Sequence, residues 1–395
     1  MLAASVWSAS LVCLQAEEKP SIAALQLGAE ERIEVDGRLD EAVWQRAEKG
    51  GGFRQYDPGR GTPATERTEF AIAYDRDHLY VAVWCYDSKP GGVMARSMRR
   101  DRVYTGSDFV YLFFDTFHDQ RNGYVFVVNP TGAQGDGLIT NNTGRNFSWD
   151  GIWMSKASIT DKGWFVEMAI PFKTVSFDPD GTVWGFNMSR RIRRKNEAIR
   201  WTGWKDEIKS HNASEAGDIT GLQGMRQGLG LEFSPYGVGR HESRKGASDS
   251  LVGDVGADLR YRVTPDFSAT ISYNTDFAET EVDQRVVNFT RFPLFFPEKR
   301  DFFLEDSGIY DFGPGIQRRS RGPTFLPYFT RRIGLSDGQI IPIQLATKLA
   351  GRLGDYDVGL THARLEGSSG LDEQNVFAAR VTKQVFSQSR VGVIA

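Results

Sequence analysis

Three oxygen-bearing side chains lie close together in the segment DTFHDQRNG: Asp115, Asp119 and Asn122, with a glycine after the last. Carboxylate and amide oxygens are the ligands that Ca²⁺ prefers in proteins. Their spacing is not that of an EF-hand, so the segment predicts calcium only as a structural ion. The alternative is that Asp108 and Asp115, which flank the strand-like run FVYLFF, solvate its edge or cap its turns.

No motif typical of a standard active site occurs in the sequence. There are five histidines and two cysteines, and nucleophile-elbow, phosphate-loop and zinc spacings are missing. The glycine-rich GRLGDYDVG lies between strand-like runs and opens no helix, which predicts a hairpin turn. A glycosidase needs two carboxylates that face one sugar across about 5 to 10 Å, and sequence alone cannot pair them. We therefore lean toward a protein that is not an enzyme.

Aromatic side chains in loops are the candidates for ligand contact. Proteins bind sugars by stacking an aromatic ring on the C–H face of a pyranose while polar groups contact its hydroxyls. Trp84, Trp164 and Trp184 lie inside strand-like runs and are predicted to be core residues. The candidate ligand-binding residues are four aromatic residues in loops and one at a motif position described below: Tyr104, Trp149, Trp201, Trp204 and Tyr111.

The composition limits the class of protein that positions these residues. The chain has 395 residues, with 48 basic and 51 acidic side chains and a net charge of −3. This even balance disfavours a nucleic-acid-binding protein. No apolar run reaches about eighteen residues, which excludes a bundle of membrane-spanning helices. The 42 glycines and 12% aromatic residues favour an all-β protein with tight turns.

Residues 26–222 alternate short β-rich runs with turn residues. The runs include TEFAIAYDRDHLYVAVWCYD and NGYVFVVNPTG, and Asp-Gly, Asn-Gly and Lys-Gly pairs mark the turns. This pattern is typical of an antiparallel β-sandwich. One short helix is predicted over residues 40–46, with Asp40 as its N-cap.

Five segments of this region resemble carbohydrate-binding module family 9. They are IEVDGRLDEAVW, LYVAVWCYD, SDFVYLFFD, GWFVEMAIPF and WGFNMSRR, in the order and spacing of that family. The resemblance implies a β-sandwich of the kind attached to glycosidases, which holds sugars between aromatic side chains, sometimes with structural calcium. A hydrolase assignment for this chain would depend on that association alone.

The positions that bind sugar in that family carry other residues here. The departures are Thr105 for a tryptophan, Tyr111 for a glutamate, Val127 for an arginine, Ser189 for a glutamine, and Ser210 and His211 near a second tryptophan. Tyr104 is adjacent to the first of these positions. Two hypotheses follow. The sandwich binds another glycan or oligosaccharide, or it has lost sugar binding and docks on its neighbour or on an envelope protein.

From residue 228 to 395 the runs lengthen to about ten residues and alternate strictly. The segment VGADLRYRVT places apolar residues on one face and Asp258, Arg260 and Arg262 on the other. The segments LGLEFSPYG, FSATISY, IQLATKLAGRL, YDVGLTHARL and NVFAARVTKQV repeat this pattern. It predicts an outer-membrane β-barrel in contact with lipid, although a soluble sandwich can show the same alternation. Six such runs and the fragment RVGVIA fall short of the minimum of about eight strands, so we expect a truncated barrel.

Residues 278–342 interrupt these strands with an insert that is rich in Phe, Arg and Pro and has no regular period. A loop this long and aromatic is expected to be functional or packed. Phe295, Phe296, Arg300 and Phe302 are candidates for a plug at the barrel mouth; the alternative is that they brace the two domains. The two regions together resemble exported bacterial proteins in which a family-9-like sandwich precedes an outer-membrane barrel of unassigned function.

Residues 1–16 predict an export signal. The segment is apolar, ends in Leu-Gln-Ala, and precedes charged residues. It lacks a positively charged start, so we expect the true start to lie upstream. Cys85 is then the only thiol of the mature chain, and we predict that it is buried on a strand. The sequence thus predicts an exported protein of the bacterial outer membrane or cell envelope that captures or passes glycans.

Overall fold

The computed structural model describes residues 19–140, 142, 144–147, 149–204, 210–228, 230–242, 250–264, 267–275, 298, 300–304, 306–310, 317–318, 322–323, 327–336, 339–367, 372–386 and 389–395. These residues form an all-β protein with few helices. The predicted all-β class is therefore confirmed.

The first region consists of short strands. In chain order they are β1 (Ser21–Ala23), β2 (Leu25–Gln26), β3 (Arg54–Asp57), β4 (Thr68–Tyr74), β5 (His78–Tyr86), β6 (Phe109–Asp115), β7 (Gly123–Val128), β8 (Gln134–Thr140), β9 (Gly144–Asn146), β10 (Met154–Thr160), β11 (Gly163–Pro171), β12 (Trp184–Ile192), β13 (Glu197–Arg200) and β14 (Gly217–Thr220). One α-helix, α1 (Ala42–Arg46), and 3₁₀ turns at Pro90–Gly92, Arg193–Lys195 and Ala213–Glu215 lie between them.

These strands form two sandwich-like sheets. Sheet I has the order β1-β14-β12-β6-β7-β8-β9, and β13 joins it to β3. Sheet II has the order β10-β11-β5-β4-β2. Large side chains from both sheets make one shared core, in which Phe70 contacts Phe186 at a ring distance of 5.0 Å. Trp164, Trp184 and Cys85 lie in this core, as predicted, and burial raises the pKa of the Cys85 thiol to about 12.

The turn into β11 requires a glycine. Gly163 pairs with Tyr86 at the end of the β5–β11 ladder and has φ +139°. A Cβ atom at this position would lie 2.2 Å from the carbonyl oxygen of Cys85. The Lys-Gly turn signal in the sequence therefore marks a close approach of two backbones.

Helix α1 covers the outer face of sheet II. Val43 and Trp44 pack there against small side chains, including Ala71 and Ala82, which let the helix approach the sheet closely. The helix begins at Ala42, after an N-cap residue that makes no side-chain capping hydrogen bond. The predicted cap at Asp40 is therefore wrong, because packing of Val43 and Trp44 and not a cap holds this short helix.

The second region contains longer strands. They are β15 (Leu231–Glu242), β16 (Ser250–Thr264), β17 (Phe267–Tyr273), β18 (Gln317–Arg318), β19 (Gly322–Pro323), β20 (Leu335–Ser336), β21 (Gln339–Ile340), β22 (Ile343–Leu353), β23 (Tyr356–Leu365), β24 (Gln374–Phe386) and β25 (Ser389–Ile394). Helix α2 (Asp301–Leu304) and 3₁₀ turns at Ser307–Tyr310 and Thr330–Arg332 precede β22. Sheet III is the antiparallel meander β15-β16-β17-β22-β23-β24-β25, and the strand pairs β18-β19 and β20-β21 lie outside it. The predicted hairpin turn in GRLGDYDVG joins β22 to β23.

Sheet III has an exposed apolar face and a covered polar face. Leu259 pairs with Ile271, and Leu349 pairs with Leu360, on the exposed face. On the other face the register aligns Thr270, Lys348 and Thr361, which are all buried. This polarity is the reverse of a soluble sheet, whose polar face meets water.

The segment 300–310 lies against the covered face of sheet III. Lys348 donates a hydrogen bond of 2.7 Å from Nζ to the carbonyl oxygen of Phe302. The hydroxyls of Tyr310 and Thr361 are hydrogen-bonded at 2.5 Å. Among the residues that the structure describes, no helix is long and apolar enough to cross a membrane.

Candidate functional site

The outer face of sheet I brings together three positions at which this chain lacks the sugar-binding residues of the family it resembles. Tyr111 on β6 pairs with Val127 on β7 and with Ser189 on β12. Tyr111 and Val127 are buried in one apolar cluster, which Val103 and Ala213 cover from neighbouring loops. At the place where the resemblance implies a sugar contact, the sheet is thus closed by the chain's own side chains.

Tyr104 and its neighbours form a rim cluster beside this closed face. The ring of Tyr104 meets Phe109 edge to face at 5.0 Å and Phe147 at 6.3 Å. Phe147 is exposed, whereas Tyr104 is partly buried. Burial raises the pKa of Tyr104, and the positive charge of Arg145 opposes this rise.

A second set of side chains, the arginine-aromatic surface, lies on β3 and in the loop after it, and at the end of β13 and just beyond it. Its members are Arg54, Tyr56, Arg60, Arg200 and Trp204. The guanidinium carbon of Arg200 lies 3.6 Å from the ring centre of Tyr56, and that of Arg54 lies 5.4 Å from the ring centre of Trp204. The guanidinium carbon of Arg60 lies 5.5 Å from the ring centre of the same Tyr56.

Strand pairing explains why these residues meet. Strand β13 pairs antiparallel with β3, and Arg54 and Arg200 are register partners. Ser189 on β12 is the register partner of both Arg200 and Tyr111, so one residue of the sheet separates Tyr111 from this surface. Tyr56, Arg54, Arg60 and Arg200 were not predicted, because about 145 residues separate the two strands in the sequence and only the sheet joins them.

Trp149 and Trp201 lie in the sandwich core. Trp149 packs against Tyr124 at 5.2 Å, and Trp201 packs against Phe70 at 5.1 Å. Both tryptophans are buried, so their rings contact core side chains. Among the five candidate ligand-binding residues, Tyr104 and Trp204 are the two that the structure leaves partly accessible.

The predicted calcium loop is closed by its own hydrogen bonds. Asp115 accepts the backbone N–H groups of Asp119 and Gln120 at 3.1 and 2.7 Å. Asp119 accepts the backbone N–H and the side-chain amide of Asn122 at 2.9 and 2.7 Å. Burial and the charge of Asp119 raise the pKa of Asp115 to about 7. Calcium at this loop stays a prediction.

A carboxylate cluster that sequence reasoning missed lies elsewhere on sheet I. Oxygen atoms of Asp101, Asp136 and Asp150 lie within 4.8 Å of one another and could hold a cation. Arg100 already supplies positive charge there, at 2.9 Å from Asp136 and 2.8 Å from Asp150. Burial raises the pKa of Asp136 to about 6. The three aspartates are distant in sequence, so no local motif could have indicated the cluster.

Two of the four candidate plug residues, Arg300 and Phe302, are among the residues that the structure describes. Arg300 is buried, pairs with Glu298 at 2.8 Å, and donates to the carbonyl oxygen of Ile333 at 2.8 Å. Phe302 packs in a cluster with Ile343 of sheet III. Phe295 and Phe296 lie outside the described residues. The plug stays a prediction.

Family models match both regions of the chain. Residues 35–223 match the family described as Carbohydrate family 9 binding domain-like. The first region is therefore similar in sequence to that family. Residues 228–340 match a domain of unknown function, DUF5916. The two regions of the chain thus match two different family models.

Solved structures similar to this chain have low sequence identity to it. A protein from Bacteroides uniformis, suggested to bind carbohydrate, is 14% identical with a TM-score of 0.42, over 51% of this chain and 99% of that one. A family 9 carbohydrate-binding module from Caldicellulosiruptor kristjanssonii, in complex with glucose, is 18% identical with a TM-score of 0.36, over 52% and 96%. Its cellotriose complex is 19% identical with a TM-score of 0.35, over 52% and 95%. A comparison with curated proteins found no match.

Proposed function

We propose that this protein binds a glycan or oligosaccharide through its family 9-like domain at the bacterial outer membrane. It captures or passes the glycan there. The family match over residues 35–223 supports carbohydrate binding. The observation that carries the proposal is the arginine-aromatic surface, where the rings of Tyr56 and Trp204 lie beside three guanidinium groups.

This surface has the two kinds of group that a sugar site needs. An indole or phenol ring offers a flat apolar face for the C–H face of a pyranose. Arginine offers several N–H donors in a fixed planar arrangement, which suits neighbouring hydroxyl oxygens. Arg54 and Arg60 are exposed and supply these donors, whereas Arg200 is buried and donates to the carbonyl oxygen of Gly203. Tyr111 and Val127 are buried, so a sugar cannot contact them. The proposed binding surface therefore uses the partly accessible aromatic residues, Tyr104 of the rim cluster and Trp204.

The outer-membrane part of the proposal is supported by sheet III. Its exposed face carries Leu259, Ile271, Leu349 and Leu360, and its covered face carries Thr270, Lys348 and other polar groups. Outer-membrane barrels have this outward-apolar, inward-polar alternation because lipid surrounds them. The apolar residues 1–16 are consistent with export. In this proposal sheet III forms part of a lipid-facing barrel, and segment 300–310 lies inside it as a plug.

The second candidate function is a structural or assembly role in which the sandwich has lost sugar binding. The closed apolar cluster around Tyr111 and Val127 favours it. So does the ion pair between Asp119 of the sandwich and Arg352 of sheet III, at 3.5 Å. In this case the first region docks on the second, or on an envelope protein.

A glycan array followed by calorimetry on the full chain separates the two functions. Tyr104→Ala and Trp204→Ala are expected to weaken glycan binding about tenfold or more, since each removes a stacking ring. Tyr86→Ala is the matched control, because Tyr86 also lies under an arginine, at 4.8 Å from Arg67, but on sheet II. If the folded chain binds no glycan, the assembly role is favoured. If binding survives both site variants, the proposed surface is wrong.

A further inference from the structure

A cavity of about 180 Å³ lies between the sandwich and the second region. The sandwich contributes the loop after β6 and parts of β7 and β8, and the second region contributes the turn at Ser307–Tyr310 and the hairpin of β22 and β23. Gly308 allows this approach, because a Cβ atom there would lie 2.9 Å from the side chain of Thr140. The cavity therefore exists only where both domains meet.

The charged groups of the cavity wall are balanced by ion pairs. Arg352 bridges the two domains, at 3.5 Å from Asp119 and 3.3 Å from Asp357. Asp306 lies 3.7 Å from Lys348 and 3.9 Å from Arg260 behind the wall. Asp119 and Asp357 share Arg352, and Asp306 faces Lys348 and Arg260, so each carboxylate lies beside a cation of the protein that lowers its attraction for a free ion.

The remaining wall is a mixture of ring faces and neutral polar groups. The rings of Phe117 and Tyr124 and the side chain of Ile309 supply apolar surface. Asn122 and Ser307 add hydrogen-bonding groups. A wall with many donors and acceptors, little net charge and some apolar ring surface suits an uncharged polyhydroxylated ligand.

The size of the cavity limits the ligand to one ring. A cavity of about 150 Å³ holds a benzene molecule, so 180 Å³ accommodates a six-membered ring. A longer glycan could enter only with one terminal residue. The cavity is also adjacent to the covered polar face of sheet III, through Asp357 and Arg352.

We propose that this interdomain cavity is a second carbohydrate subsite that binds one uncharged pyranose ring. It rests on the proposed glycan binding of the first region and adds a site that needs both domains. A glycan end held there lies between the surface of the sandwich and the polar face of sheet III. The predicted calcium loop, through Asp119 and Asn122, then serves as part of the sugar-binding wall.

Calorimetry on the full chain with D-glucose, D-galactose, D-mannose and D-xylose tests the subsite. Ser307→Trp fills the cavity and is expected to remove one binding event. Asp357→Asn keeps the shape of the wall, removes one charged acceptor, and is expected to weaken that event about tenfold. Glu373→Gln is the matched control, since Glu373 forms an exposed ion pair with Arg364 at 2.6 Å on the same sheet. Its binding is expected to equal that of the unsubstituted chain.

Hydrogen exchange supplies a readout that does not depend on variants. Sugar is expected to slow exchange in residues 116–124 and 351–357, which line the cavity. The subsite is overturned if no sugar of the panel binds, if binding and exchange are unaffected by Ser307→Trp and Asp357→Asn, or if only added Ca²⁺ gives a response that Ser307→Trp abolishes. Trp204→Ala and Ser307→Trp distinguish the two sites, because Trp204 lies on the proposed surface and Ser307 lines the cavity. Trp204→Ala is expected to remove the surface event alone, and Ser307→Trp the cavity event alone. If Trp204→Ala leaves both events, the proposed surface is wrong; if Ser307→Trp leaves both events, the subsite is wrong.

Discussion

Replacing Ile271 by arginine tests whether the exposed apolar face of sheet III contacts lipid. Ile271 lies on β17, an interior strand of sheet III, is 47% exposed, and pairs with Leu259 on the same face. If lipid covers this face, the guanidinium must enter hydrocarbon. If water covers it, the arginine is solvated and little changes.

The two environments predict very different free energies. An arginine on the lipid face of a membrane sheet costs about 2–4 kcal/mol near the bilayer midplane. A surface substitution in water usually changes stability by less than about 0.5 kcal/mol. We expect the free energy of unfolding to fall by about 2 kcal/mol or more, which lowers the folded-to-unfolded ratio about thirtyfold.

Ile159→Arg is the matched control. Ile159 is also an isoleucine on a strand, β10, and is 51% exposed, but it lies on sheet II of the sandwich. Both variants would be reconstituted in phosphatidylcholine vesicles and unfolded with urea, with the β-sheet signal followed by circular dichroism. A loss of less than about 0.5 kcal/mol for Ile271→Arg, equal to that of Ile159→Arg, would refute the lipid-facing assignment.

Three further predictions concern the sandwich. Gly163→Ala should lower the free energy of unfolding in urea by about 2 kcal/mol or more, because the new Cβ meets a backbone oxygen at 2.2 Å; Gly52→Ala, with φ +73° but open space, should cost less. Glu167→Ala should cost about 1–3 kcal/mol in the same assay, because Glu167 accepts a hydrogen bond of 3.0 Å from the indole N–H of buried Trp44; an unchanged stability would contradict this. Burial raises the pKa of Glu167 from 4.5 to about 7 and that of Asp136 from 3.8 to about 6. The folded state therefore keeps protons that the unfolded chain has lost, and the thermal midpoint should fall as pH rises from about 4 to 7; a rise over this range would show that other groups dominate.

The strands and their faces could be predicted from the sequence with little error. Alternation in VGADLRYRVT placed Leu259 and Tyr261 on the exposed face of β16, where they lie. The apolar run around Trp164 predicted a core strand, and the structure buries it. Both patterns depend on a period of two within one segment, which a strand alone imposes on its side chains.

The site residues were less predictable than the strands. Trp149 and Trp201 follow loop-like sequence, yet their rings are buried in the core, where they pack against Tyr124 and Phe70. Conversely, Tyr56 and Arg54 are unremarkable in sequence and join Arg200 only through the pairing of β3 with β13. The aromatic residues of the sequence therefore predicted a sugar-binding site, but they did not indicate which residues form it.

The sequence by itself determined which segments are strands, which of their faces are apolar, and where the two regions divide in character. The tertiary structure alone decided that Tyr111 and Val127 close the outer face of sheet I, that Arg54 meets Arg200, and that Asp119 meets Arg352 across a cavity. The physical reason is that side-chain alternation is a property of one strand. Contacts between distant segments depend instead on which strands pair and which domains touch, and that choice minimises the free energy of the whole chain.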